Sequence, residues 1–473
     1  MLQSISHILS GISLLIGIIH LCVLRFVKEE SPKKYASVGR SWLLLSLLFS
    51  IIFHNENYNI LYFENNAYSL LFTIIVGVLS YILLLLTPSW FATQKETGYR
   101  YYIFILMAIA SINAMLTSTN LLSLTLSYII LIIVNYRLLG ISYEKVPSTI
   151  ASKYFFISCL IISLFLSGVF YIYYNIASMP TFNAIEQLCE DNKGNILIYL
   201  SIIAIVIPFL YSLGIAPFHI FMEEKSGKSI LPVAHYFTII APIAFWGIFF
   251  KLNVTILSEY AAVFSPVYLT FGLISLFFGA VGANSRINLH RIFANASIYH
   301  FGIILIMISF NRQEMYFSAF IYLLMYVLAL NGIYLVLYSL RSHGEYLSSV
   351  TSLSGLSQTR SFSTAMLLIS IFSFIGFPPL AGFLGQLNLL TDLITNGAYI
   401  KLGIIFFCFL FLARAYLSLI KIAYFEPKTK NYDTMNKSLL LCMLINMLLI
   451  IVIAFNPYNI ITTIQDMFYV MFI

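Results

Sequence analysis

The sequence predicts an all-α polytopic membrane protein, and three observations carry that reading. Of the 473 residues, 60% are hydrophobic and only 9% are charged, against about 25% charged in soluble domains. The apolar residues fall in windows long enough for a helix to cross a hydrocarbon core about 30 Å thick. The charged residues lie almost entirely between those windows. Continuous helices satisfy their own backbone hydrogen bonds in lipid, where water cannot. A soluble enzyme is excluded by hydropathy, and a nucleic-acid binder by the lack of any basic stripe despite the net charge of +7.

Fourteen windows are expected to span, at 8–26, 41–54, 66–87, 101–118, 120–139, 153–177, 195–216, 231–251, 261–282, 291–309, 316–340, 361–385, 399–421 and 438–456. The second is short and extends toward Asn55 to Phe63. Loop charge tests the count, because Lys and Arg favour one side of the membrane. Taking alternate loops, 20 of the 25 Lys and Arg fall on one side, among them Lys33, Arg40, Lys225, Lys228, Arg286, Arg291 and Lys421. Lys193, Lys251, Arg312 and Lys401 fall on the other, and Arg414 inside span thirteen. Both termini are therefore expected outside, with the basic loops facing cytoplasm or matrix.

Spans seven and twelve are interrupted alike, by Gly214-Ile215-Ala216-Pro217-Phe218-His219 and by Gly376-Phe377-Pro378-Pro379-Leu380-Ala381-Gly382-Phe383. Proline gives no backbone donor and clashes with the preceding turn, so each helix opens within the hydrophobic slab. Backbone opened at that depth must line a protein cavity or a water path. The breaks are an odd number of helices apart, so the five-helix units that carry them, if they are repeats, must be inverted. Interrupted helices in inverted repeats mark the ion or substrate sites of many transporters. The expected organisation is one membrane domain over 1–473: a three-helix segment at 1–90, five-helix repeats at 100–252 and 258–424, and a helix with a tail at 436–473.

The five cysteines, Cys22, Cys159, Cys189, Cys408 and Cys442, lack metal-ligand or disulfide spacing. Neither a cleavable signal nor an Arg-rich presequence opens the chain. Heavy use of Ile, Phe, Tyr and Asn fits an AT-rich, organelle-encoded gene.

Three stretches in register carry a resemblance. They are Pro217-Phe218-His219, His290-Arg291-Ile292-Phe293-Ala294-Asn295-Ala296-Ser297-Ile298-Tyr299-His300-Phe301-Gly302, and Gly376 to Gln386. With the fourteen spans, they make the chain resemble the antiporter-like membrane subunits of respiratory NADH:quinone oxidoreductase (complex I), chain 2 in particular. The resemblance implies a subunit that supports proton translocation in the mitochondrial inner membrane, or alternatively in a bacterial plasma membrane. It implies other membrane-arm subunits and lipids as partners in a hetero-oligomer, without nucleic acid. No cofactor is expected on this chain: NADH, FMN, iron–sulfur clusters and ubiquinone belong elsewhere in the complex, and no dinucleotide, flavin or cluster motif occurs here. The competing reading is a stand-alone or multisubunit cation/proton antiporter.

In that family a glutamate in span five and lysines in spans seven, eight and twelve are thought to carry protons. The corresponding positions here are Ile129, Ser212, Pro242 and Gln386. No Lys, Asp or Glu occurs from Gly194 to Phe221 or from Ser361 to Thr391. Histidine titrates near neutral pH and can relay protons, so the candidate path is Ser212, His235, His300 and Gln386, with His219 at the first break. His235 lies seven residues before Pro242, about two turns, on the same expected helix face. A lone membrane histidine is more often a neutral, hydrogen-bonded packing residue. The channel is thus either inactive or rewired through histidines and water.

Overall fold

In the computed structural model of the protein, the structure describes residues 9–27, 29–54, 62–94, 98–141, 146–176, 181–192, 194–455 and 457–472. Among them, thirteen helices are long and apolar enough to cross a membrane. These are α1 (Leu9–Val27), α2 (Pro32–Ile52), α3 (Ala67–Thr93), α4 (Tyr99–Leu116), α5 (Leu121–Leu139), α6 (Val146–Asn175), α8 (Ile196–Leu213), α10 (Leu231–Thr255), α11 (Ala261–Asn284), α12 (Leu289–Ile308), α13 (Gln313–Ser339), α16 (Tyr399–Phe425) and α17 (Lys437–Phe455). The fourteenth expected span is present as two pieces, α14 (Ser361–Ile375) and α15 (Ala381–Thr395). Three longer helices, α7 (Phe182–Asp191), α9 (Ile220–Gly227) and α18 (Pro457–Tyr469), and a single helical turn at Leu356–Thr359 fill out the set. A two-residue hairpin pairs Arg341–Ser342 with Glu345–Tyr346.

Helix starts follow local chemistry. The side chains of Asn66, Asn120 and Asn288 accept hydrogen bonds from the backbone N–H groups of Ser69, Ser123 and His290, capping α3, α5 and α12. Each satisfies a donor that a helix start leaves unpaired.

The chain divides into two compact units. The first comprises Met1–Leu213, Lys228–Ala261 and Asp466–Ile473, the second Gly214–Gly227 and Ala262–Gln465. In the first unit α10 is the interior helix, with every residue of its apolar window buried, whereas only 22% of the α6 window is. In the second unit α12 and α13 take that role, 94% and 89% buried. Helices apolar all round belong inside, and it is there that polar side chains meet protein partners.

Several boundaries differ from the sequence expectation. α2 begins at Pro32, whose fixed φ suits a first turn, so Lys33 and Arg40 ride on the helix instead of preceding it. The expected extension into Asn55 to Phe63 lies largely outside the described residues. α8 stops at Leu213, and the twelfth span resumes after its break to reach Thr395, ten residues past the expected end at 385. Lys251 is not a loop charge: it sits within α10, where its Nζ donates to the Ser118 carbonyl at 2.8 Å. Asp392 is 8% exposed, and a carboxylate so buried needs a cation; Arg312 pairs with it.

Candidate functional site

Each break is built from a left-handed glycine followed by proline. Gly214 has φ +70° and Gly376 φ +73°, a conformation that costs glycine little and other residues more. Cis peptide bonds follow at Ala216-Pro217 and Pro378-Pro379. At the first break the Ala216 N–H, which has no helical acceptor, donates to the Ser275 hydroxyl at 2.9 Å, and Ser275 donates to the Phe271 carbonyl at 2.7 Å. The His219 ring stacks on Phe278 with centroids 4.8 Å apart. α9 follows and is tied to the start of α12 by Glu223, 2.7 Å from Arg286 and 3.9 Å from Arg291.

At the second break the polar groups converge. Gly385 lets α15 lie against α13 so closely that a Cβ there would stand 2.9 Å from the Tyr322 Cα. Gln386 packs on Gly376, where a Cβ would come 2.8 Å from its Oε1. From that position the Gln386 side chain comes close to the Tyr322 side chain. The Tyr322 hydroxyl lies 2.6 Å from His300 Nδ1, and His300 Nε2 lies 3.0 Å from the Tyr416 hydroxyl. The imidazole stacks on Phe374 with centroids 4.7 Å apart, and Phe374 stacks in turn on the Tyr416 ring at 5.6 Å. A neutral ring fits both neighbours, one nitrogen donating and the other accepting. Tyr322, His300 and Tyr416 thus form one polar chain across α13, α12 and α16, with Gln386 of α15 beside its Tyr322 end.

The first unit holds two hydroxyl clusters. Pro208 interrupts the hydrogen bonding of α8, and its carbonyl accepts from the Tyr128 hydroxyl at 3.2 Å. That hydroxyl also lies 2.8 Å from Ser212 Oγ. The Tyr128 ring is enclosed by Phe165, Phe209 and Phe245 at 5.5 to 5.9 Å. A second chain runs from the Tyr236 hydroxyl to Asn135 Oδ1 at 2.9 Å, and from Asn135 Nδ2 to the Tyr154 hydroxyl at 3.4 Å. Tyr154 hydrogen-bonds Ser158, whose Oγ lies 3.5 Å from the Tyr211 hydroxyl.

The expected path residues are therefore only partly joined. His300 belongs to the chain that Gln386 adjoins, with Tyr322 between them. Ser212 and His235 are both in the first unit, Ser212 with Tyr128 and His235 fully buried beside Tyr236. The expected alignment of His235 with Pro242 fails, because a π turn over Tyr236–Ile240 intervenes. Pro242 has no N–H to continue the regular pattern, and the wider turn means that seven residues no longer complete two turns. Ile129 is half-buried on α5, next to Tyr128. Among the described residues no three His, Cys, Asp or Glu side chains come together as a metal site.

Sequence reasoning missed the tyrosines and Asn135. The signal was available: 33 tyrosines in so apolar a chain bring hydroxyls into lipid-depth helices, where each must find a partner. Lys225 was also missed as a buried group. It is 5% exposed on α9, and burial pushes its ammonium down to about 8 from an ordinary 10.5.

Residues 118–413 match the family described as NADH:quinone oxidoreductase/Mrp antiporter, transmembrane. The chain belongs to that family. One relative, NADH-quinone oxidoreductase subunit N of Rhodospirillum rubrum, is 24% identical over 79% of this chain and 77% of its own. A second of that name, from Pelagibacter ubique, is 24% identical over 92% of both chains. Among solved structures, a chain of respiratory complex I from Thermus thermophilus superposes with a TM-score of 0.80 at 19% identity, covering 96% of this chain and 98% of that one. A chain of the Mrp complex from a Dietzia species gives 0.84 at 14% identity, covering 100% and 98%. Those two likenesses establish the fold, which the family's redox and antiporter branches share.

Proposed function

We propose that this chain is an antiporter-like membrane-arm subunit of a proton-translocating NADH:quinone oxidoreductase. The observation that carries it is the sequence match, over 79% and 92% of this chain, to relatives named as subunit N of that enzyme, whereas the likeness to the Mrp complex is one of fold. In this reading the chain is the chain 2 type of the mitochondrial inner membrane, with both termini on the intermembrane-space side. It sits among other membrane subunits, holds no redox centre of its own, and its repeats at 100–252 and 258–424 are inverted copies. The matched glycine-proline breaks support the last point.

The proton route proposed for the second unit is the chain Tyr322, His300 and Tyr416, with Gln386 beside its Tyr322 end. Hydroxyl and imidazole groups can pass a proton by giving one and taking another, and Gln386 stands where the family resemblance implies a lysine. An inactive channel would need no such chain.

Isolation at native expression level tests the assignment. Co-migration of the chain with NADH dehydrogenase activity is the expected result. Recovery as an independent particle that exchanges Na+ for H+ would overturn it.

A further inference from the structure

Arg414 is a permanent charge in an apolar helix. Such a group needs an anion, carbonyls or water. The structure removes the carbonyl option: among the described residues Arg414 makes no hydrogen bond or ion pair. Its side chain is exposed on the outer face of α16.

Its depth follows from a neighbouring helix of the same unit. α11 ends at Asn284, and the Asn284 amide donates to the Phe411 carbonyl of α16 at 2.6 Å. Ser285 and Arg286 follow at once, so α11 leaves the hydrocarbon core at the level of Phe411. Arg414 lies three residues further toward the basic loops, about 4.5 Å. That places the guanidinium where phospholipid phosphates begin.

The rest of the face fits one occupant. Positions seven apart share a helix face, and Phe407, Arg414 and Lys421 form such a stripe, all exposed. Below the cations Phe407 is 56% and Leu410 50% exposed, an apolar strip of the kind acyl chains cover. Above, Lys421 adds a second positive charge two turns on, about 10 Å away. Apolar side chains below two cations at headgroup depth complement a lipid whose head is negative. We propose that this face of α16 holds an anionic phospholipid, its phosphate between Arg414 and Lys421 and its acyl chains along Phe407 and Leu410. The fork of the arginine suits a phosphate oxygen pair. Nothing in this arrangement depends on which redox or antiporter assembly contains the chain.

The test uses the intact assembly carrying the chain, transferred to nanodiscs of either pure phosphatidylcholine or phosphatidylcholine with phosphatidylglycerol. The expected result is a headgroup density between Arg414 and Lys421 in the mixed discs alone. Native mass spectrometry should show retained phosphatidylglycerol falling roughly fivefold for each cation removed in Arg414→Gln and Lys421→Gln, and by less than that in Arg414→Lys, which keeps the charge but not the fork. Should Arg414→Gln fail to assemble, Lys421→Gln reads the same site. Equal retention of the two lipids, or a neighbouring subunit's carboxylate seated on Arg414, would overturn the proposal.

Discussion

His300 Nδ1 and the Tyr322 hydroxyl stand 2.6 Å apart in the interior of the second unit, on helices that are 94% and 89% buried. The imidazole holds this hydroxyl on one side and that of Tyr416 on the other. Replacing it by a ring of similar shape strands both.

His300→Phe should therefore destabilise the assembly by about 2 to 4 kcal/mol, two buried hydroxyls each losing a partner. His300→Gln keeps a donor and an acceptor and should recover much of that loss. If the Tyr322 to Tyr416 chain carries protons, both variants lower the ratio of protons translocated to NADH oxidised in proteoliposomes. An unchanged ratio in a stable His300→Gln assembly would leave the chain a packing feature only.

The second break should be intolerant of the smallest side chain. A Cβ on Gly382 would fall inside the van der Waals radius of the Ser373 carbonyl oxygen, whereas nothing lies within 4 Å of a Cβ on Gly403. Gly382→Ala is expected to cost at least about 3 kcal/mol by overpacking and to deplete assembled complex on native gels. Gly403→Ala, in the outward part of α16, should be neutral or stabilising by up to about 1 kcal/mol. Equal abundance of the two variants would refute the packing seen at the break.

Much of the architecture was readable because membrane helices obey a length rule and a charge rule that loops cannot mimic. The breaks were readable because Pro217 and Pro378-Pro379 cannot donate to a helix, whatever surrounds them. The site was less so. The sequence shows that Ser212 and Gln386 lack amines, but which side chains meet them depends on inter-helix register, and that is set by contacts such as Gly385 against Tyr322 with no local period. Lys251, counted with the loops of the less basic side, rides inside a helix because one carbonyl, that of Ser118, accepts from its ammonium. The π turn before Pro242 likewise shifts a face without any change in hydropathy.

The Tyr236, Asn135 and Tyr154 chain should behave as a unit. Asn135 is 2% exposed and bonds a tyrosine with each end of its amide. Asn135→Leu is expected to cost about 2 to 3 kcal/mol, the partners being left unmet. Tyr236→Phe made in addition should cost less than it does alone, since its acceptor is already gone. A thermal-shift double-mutant cycle on the purified assembly gives the coupling, and strict additivity would show that the Tyr236–Asn135 bond is not made.

Lys225 should give the assembly a stability that rises with pH in the alkaline range. Buried on α9, between two spans, its ammonium is held down to about 8 against 10.5 when unfolded, burial being the cause. Between those values the unfolded chain binds a proton that the folded chain has released, so unfolding becomes harder as pH rises. Below about pH 8 the full cost of burying the charge is present. The window is worth about 3 kcal/mol in all, at 1.36 kcal/mol per unit. Lys225→Met should abolish the part of the slope between pH 8 and 10.5, and the slope is the decisive readout because the substitution also alters packing on α9. Glu223 nearby is already engaged by Arg286 at 2.7 Å, so Glu223→Gln should leave that slope in place while making the stability less sensitive to salt. Thermal midpoints across the alkaline range check both, and an unchanged slope in Lys225→Met would place its origin elsewhere.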